Sequence, residues 1–119
     1  MRMVADLLLV LVAGLHLYFL VLEMFLWTKP LGRKVFGLTA EFAQASKALA
    51  ANQGLYNGFL SAGLLWGLSQ GAAGVPVQLF FLACVVVAGV FGAITVSRKI
   101  LFVQALPAAV GLAAVLLSR

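Results

Sequence analysis

Seven polar side chains in this apolar sequence have the types and spacing needed to transfer a proton or to bind a small molecule. They are His16, Glu23, Asn52, Gln53, Tyr56, Asn57 and Gln104. His16 and Glu23 are seven residues apart, which is two helical turns, so they lie on one stripe of their helix. One Glu with one His suits general acid–base chemistry, such as a proton-transfer isomerisation, better than nucleophilic catalysis. We predict no metal site, because these two residues are too few ligands.

Charged residues are rare and unevenly spread around these candidates. Of 119 residues, 65% are hydrophobic and 9% are charged, whereas a soluble domain carries about 25% charged residues. No Asp, Glu, Lys or Arg occurs in residues 48–97 or in residues 100–118. Because these stretches lack the periodic polar face of a soluble helix or strand, the sequence predicts an integral membrane protein.

Four apolar stretches are long enough to cross about 30 Å of hydrocarbon as helices. We predict one membrane domain over residues 1–119. Its helices lie at about residues 5–27, 40–70, 76–97 and 100–118. Thr39 is the predicted N-cap of the second helix, and the preceding connection lies at the membrane interface. The predicted fold class is therefore all-α, an antiparallel bundle of four transmembrane helices.

The basic residues predict the orientation of this bundle in the inner membrane. Six of them lie in the first and third connections, namely Lys29, Arg33, Lys34, Lys47, Arg98 and Lys99. Since Lys and Arg are enriched on the cytoplasmic side, both termini are predicted to face outward. The same residues form no patch, so nucleic acid is excluded as a partner. The single cysteine, Cys84, excludes a disulfide framework.

The candidate polar residues concentrate at one depth of the predicted bundle. At a rise of about 1.5 Å per residue, all except His16 fall in the cytoplasmic half. We expect them to form one polar layer in which Glu23 is either hydrogen-bonded by amide and phenol donors or protonated. Packing between helices is the alternative role for Asn, Gln and Tyr. Small-residue faces at Gly54-x-x-x-Gly58 and Gly63-x-x-x-Gly67 favour tight packing within one bundle, and leave monomer and homodimer open.

Three segments carry a resemblance to a known family. They are residues 16–24 (HLYFLVLEM), residues 52–60 (NQGLYNGFL) and residues 102–108 (FVQALPA). On these segments the chain resembles the domain of unknown function 1304 family of small bacterial four-helix membrane proteins. The resemblance covers essentially the whole chain and implies four transmembrane helices, without an established activity.

Three functions are consistent with these residues. The first is a pocket in the cytoplasmic half of the bundle that binds a small amphipathic molecule and, if catalytic, converts it by proton transfer. The second is a proton-coupled exporter, because short helices with one carboxylate in the first span are also features of small multidrug resistance exporters. The third is a structural membrane protein without a ligand. The sequence identifies no cofactor, and the lipid bilayer is the one partner common to all three.

Overall fold

The part of the chain that the structure describes is mostly helical, with no strand. This computed structural model describes residues 1–118. The elements are α1 (Arg2–Met24), α2 (Pro30–Phe36), α3 (Ala40–Ser69), a 3₁₀ turn (Gly71–Gly74), α4 (Val75–Thr95), a π turn (Leu101–Ala105) and α5 (Leu106–Leu117). The prediction of an all-α fold is confirmed for these residues.

The first connection contains a short helix that the hydropathy pattern did not separate. α1 ends at Met24 rather than near residue 27, and α2 follows after a five-residue turn. Pro30 occupies the first turn of α2, where the missing N–H of proline costs no hydrogen bond. α2 ends at Phe36, and the Gly37 that follows it has a φ of 66°, the left-handed conformation that glycine adopts without strain.

Thr39 caps α3 as the sequence predicts. The backbone N–H of Phe42 donates a hydrogen bond to Thr39 Oγ1 over 3.1 Å. Phe42 is the third residue of α3, and its N–H has no acceptor within the helix. The cap fixes where α3 begins, and hence which residues of its first turns face α1.

Thr39→Ala is therefore expected to lower the free energy of unfolding by about 1 kcal/mol. The alanine leaves the Phe42 N–H without its acceptor. Unfolding in a non-ionic detergent would measure the loss, with Thr39→Ser as the matched control because serine keeps the hydroxyl. Equal stability of the alanine and serine variants would contradict the cap.

The last apolar stretch is divided by a change of helix type. A π turn at Leu101–Ala105 precedes α5, and Pro107 lies in the first turn of α5. Pro107 lacks the N–H that an unbroken α-helix would donate to the carbonyl of Val103, and its ring would clash with that carbonyl. A wider turn accommodates both effects. Gln104 lies within this π turn.

The chain forms two compact units. The first unit contains residues 1–14 and those from 60 to the end of the described chain, and the second contains residues 15–59. The first unit has a core to which α1, α3, α4 and α5 all contribute. Its buried members are Ala5, Leu9, Val12, Ala13, Leu64, Leu82, Val85, Ala108, Ala114 and Val115.

Two helical segments among the described residues are long and apolar enough to cross a membrane. They are α1 and the segment Gly71–Thr95, while Leu101–Leu117 is a shorter apolar helix. In the most apolar 18-residue stretch of each segment, 28% of the residues are buried in α1 and 22% in Gly71–Thr95. Helices of a soluble core bury most of their apolar face against protein, so these low shares are more typical of lipid-facing helices.

Candidate functional site

The second unit contains a cleft beside Glu23. It has a volume of about 330 Å³ and lies where the end of α1 and the turn after it meet α3. Its lining residues are Glu23, Met24, Phe25, Trp27, Thr28, Lys47, Ala48 and Ala51. The cleft therefore combines apolar walls with a carboxylate, a hydroxyl and an ammonium group.

Asn57 fixes the carboxylate of Glu23 at this cleft. Asn57 Nδ2 donates a hydrogen bond to Glu23 Oε1 over 2.5 Å, and both side chains are half-buried. A carboxylate has about four acceptor positions, so one amide donor leaves capacity for a ligand. Of the seven predicted site residues, these two are paired as the sequence analysis expects.

Small residues on α3 allow this pair to form. A Cβ atom on Gly54 would lie 2.6 Å from Met24 Cγ and 3.1 Å from Glu23 Cβ. A Cβ atom on Gly58 would lie 2.7 Å from Leu20 Cδ1. The predicted close-approach role of Gly54-x-x-x-Gly58 is thus confirmed, and it brings Asn57 within reach of α1.

Trp27 forms a positioned aromatic wall of the cleft. Its Nε1–H donates to Ser46 Oγ over 3.0 Å, and the Ser46 hydroxyl donates in turn to the carbonyl oxygen of Phe42 over 2.6 Å. The indole ring also packs against the ring of Phe36 on α2, with 5.0 Å between the two ring centroids. α2 and α3 together therefore set the orientation of this indole.

Trp27 and Lys47 line the cleft but were not predicted as site residues. Lys47 was counted as a charge of a cytoplasmic connection, and Trp27 was the last residue of the first predicted span. The polar pair Ser46-Lys47 on a helix was a usable signal for both residues. Ser46 accepts a hydrogen bond from Trp27, and the neighbouring Lys47 lines the same cleft. The cleft itself was not predictable, because part of its lining belongs to the turn between α1 and α2, which the sequence did not indicate.

The other predicted residues lie elsewhere. His16 is fully buried, and its ring packs edge-to-face with the ring of Phe19, with 5.4 Å between the two ring centroids. Asn52, Gln53 and Tyr56 are exposed, and the lining of the cleft does not include them. Neighbouring positions on a helix differ by about 100°, so with Gly54 and Asn57 facing α1 these three cannot all turn inward. Gln104 is half-buried in the π turn of the first unit.

Two buried polar residues of the described chain, Ser61 and Gln78, were not among the candidates. Gln78 on α4 is fully buried, and its Nε2 donates to the carbonyl oxygen of Gly67 on α3 over 3.1 Å. Its position in a long apolar stretch was a usable sequence signal. The contact joins the two helices that flank the 3₁₀ turn, which indicates a packing role in the first unit.

Comparison with known proteins gives a family and a relative without a described activity. The family model described as "Protein of unknown function (DUF1304)" matches residues 10–116. The chain is 28% identical over 106 residues to the uncharacterized protein YpaA of Lactococcus lactis subsp. lactis (strain IL1403), covering 87% of this chain and 89% of that protein. No solved structure matches the chain.

Proposed function

The chain belongs to the family described as Protein of unknown function (DUF1304), and from this premise we propose that it is a multi-pass inner-membrane protein that binds a small amphipathic molecule. The cleft beside Glu23 is the proposed binding site. The observation that carries this proposal is a half-buried carboxylate, held by Asn57, that lines a cleft of about 330 Å³.

Exposed apolar side chains support the membrane location. Leu7 on α1 is 63% exposed, and Phe80 and Phe91 on α4 are 63% and 67% exposed. Soluble monomers rarely expose contiguous apolar patches larger than a few hundred Å². In the proposed arrangement α1, α3, α4 and residues 100–118 span the bilayer, and the Lys- and Arg-containing connections face the cytoplasm.

The lining of the cleft supports an amphipathic ligand. Apolar groups of Met24, Phe25 and Ala51 suit a hydrocarbon part, while Glu23 and Lys47 suit a polar end. Ligand sites in proteins are typically apolar with a few convergent polar groups. If the bound molecule is converted, Glu23 is the group placed to accept or donate the proton.

Native mass spectrometry of the protein released from a mild detergent would test this function. We expect a defined small molecule on the wild type that is lost in Glu23→Gln. That variant keeps a carbonyl oxygen to accept from Asn57, so it should fold. Glu41→Gln is the matched control, because Glu41 is an exposed carboxylate on α3. A wild type without a bound molecule, or equal retention in all three proteins, would contradict the proposal.

The second candidate is a proton-coupled exporter similar to small multidrug resistance proteins. A carboxylate near the end of the first apolar helix favours it, because such a group can exchange a proton for a substrate. The same spectra distinguish the candidates, since an exporter of that kind predicts a homodimer. A structural protein without a ligand predicts that Glu23→Gln changes neither bound mass nor stability.

A further inference from the structure

We infer that the cleft beside Glu23 takes a zwitterion, with an ammonium group against Glu23 and an anionic phosphate or carboxylate against Lys47. This inference rests on the proposed binding function and specifies the ligand class of the same site. It follows from the charges on the two walls, from the position of Trp27 and from the size of the cleft.

Two opposite charges line different walls of the cleft. Glu23 belongs to the last turn of α1, and Lys47 belongs to α3. Asn57, which donates to the carboxylate, is a neutral amide, so it supplies a hydrogen bond without compensating a negative charge. A half-buried charge is costly unless an opposite charge approaches it. A ligand ammonium would supply that charge, and the exposed ammonium of Lys47 would meet the anion of the same ligand.

Trp27 adds a surface that suits a cation. Its indole lines the cleft and is held by Ser46 at its edge and by Phe36 through ring packing. Ammonium groups bind over the faces of aromatic rings, and best over tryptophan. Because the indole is already positioned, little side-chain freedom is lost on binding.

The cleft is small and lies where apolar sequence gives way to polar sequence. Its volume of about 330 Å³ is near the lower end of ligand sites, which span about 300–1,000 Å³. The turn after α1 holds Trp27 and Lys29, residue types that anchor a helix end at the membrane surface. A lipid head group of the phosphoethanolamine type and a free small zwitterion both have the required chemistry.

The fluorescence of Trp27 can measure this binding directly. The chain has two tryptophans, so Trp66→Phe leaves Trp27 as the single reporter. In maltoside detergent this protein would be titrated with short-chain phosphatidylethanolamine, short-chain phosphatidylglycerol and free phosphoethanolamine. We expect phosphatidylethanolamine to bind about tenfold more tightly than phosphatidylglycerol, which lacks the ammonium group.

Two charge-neutralising variants separate the two ends of the zwitterion. Glu23→Gln is expected to remove the preference for phosphatidylethanolamine, because the ammonium loses its partner. Lys47→Gln is expected to weaken both lipids alike, because both carry the phosphate. Lys34→Gln and Glu41→Gln are the controls, since both residues are exposed and lie outside the cleft lining. Circular dichroism would verify that each variant is folded.

The outcomes separate this inference from the proposed function. Binding of free phosphoethanolamine as tight as that of the lipid would assign a soluble zwitterion, and lipid binding alone would assign a head group; both support the inference. Equal binding of the two lipids to the wild type overturns it, while a ligand still retained in native spectra preserves the binding function. If no probe binds and the native spectra show no ligand, both fail.

Discussion

Replacing Gly32 by alanine is expected to remove about 3 kcal/mol of stability, at the upper end of the range for overpacking a tightly packed site. Gly32 is buried on α2, where a Cβ atom would overlap the carbonyl oxygen of Leu26. It would also lie 2.7 Å from the carbonyl carbon of Leu26 and 3.1 Å from Trp27 Cα. These are backbone atoms, so no side-chain rotation relieves the overlap. α2 must move away from the turn that carries Trp27.

Hydrogen exchange followed by mass spectrometry would locate the effect of Gly32→Ala. We expect faster exchange in peptides covering residues 25–36 and a shifted emission of Trp27 in the Trp66→Phe background. Gly14→Ala is the control, because nothing lies within 4 Å of the position of its Cβ. In a helix that control should be neutral or stabilising by up to about 1 kcal/mol. Unchanged exchange in residues 25–36 would show that α2 is not packed against this turn.

The positions of the helices follow largely from local sequence signals. Thr39 marks the start of α3, and Pro107 marks the interruption before α5. The early end of α1 was not predicted, because residues 25–27 (FLW) are as apolar as the helix before them and hydropathy does not detect a turn in apolar sequence. The existence of α2 was not predicted either, since its seven residues include two basic ones, a composition typical of a connection. The close packing of Gly32 on Leu26 stabilises that turn, and such a contact between separate segments has no local signal.

The candidate site was predictable only in part for a related reason. Glu23 and Asn57 are conspicuous as polar residues in apolar helices, and the Gly54-x-x-x-Gly58 spacing places Asn57 on the α1-facing side. Counting depth along straight helices also selected Asn52 and Tyr56, although their side chains are exposed. Depth gives the level of a residue along a helix, whereas its direction depends on which face meets the neighbouring helix. That face was identifiable from the glycines alone.

Gly89→Ala and Gly111→Ala are expected to change stability in opposite directions. In a helix interior, replacing glycine by alanine usually gains about 1 kcal/mol. Gly111 on α5 should show this gain, because its Cβ atom would make an ordinary contact, 3.5 Å from Leu82 Cδ2. Gly89 on α4 should show a net loss of about 2 kcal/mol, since an overpacking cost of about 3 kcal/mol, the upper end of its range, exceeds this gain. Its Cβ atom would lie 2.6 Å from the backbone nitrogen of Ala105 and 2.7 Å from Ala105 Cβ.

Thermal unfolding in detergent would measure the direction of the stability change in each variant. Hydrogen exchange would show which part of the chain Gly89→Ala affects. The expected site is the π turn Leu101–Ala105, because Ala105 is the residue that must move. A stabilising Gly89→Ala would mean that α4 does not approach this turn as closely as the structure shows. The missing side chain of Gly89 leaves the space that lets the wide turn pack on α4. Pro107 requires a departure from α-helical geometry, and Gly89 provides the room for it.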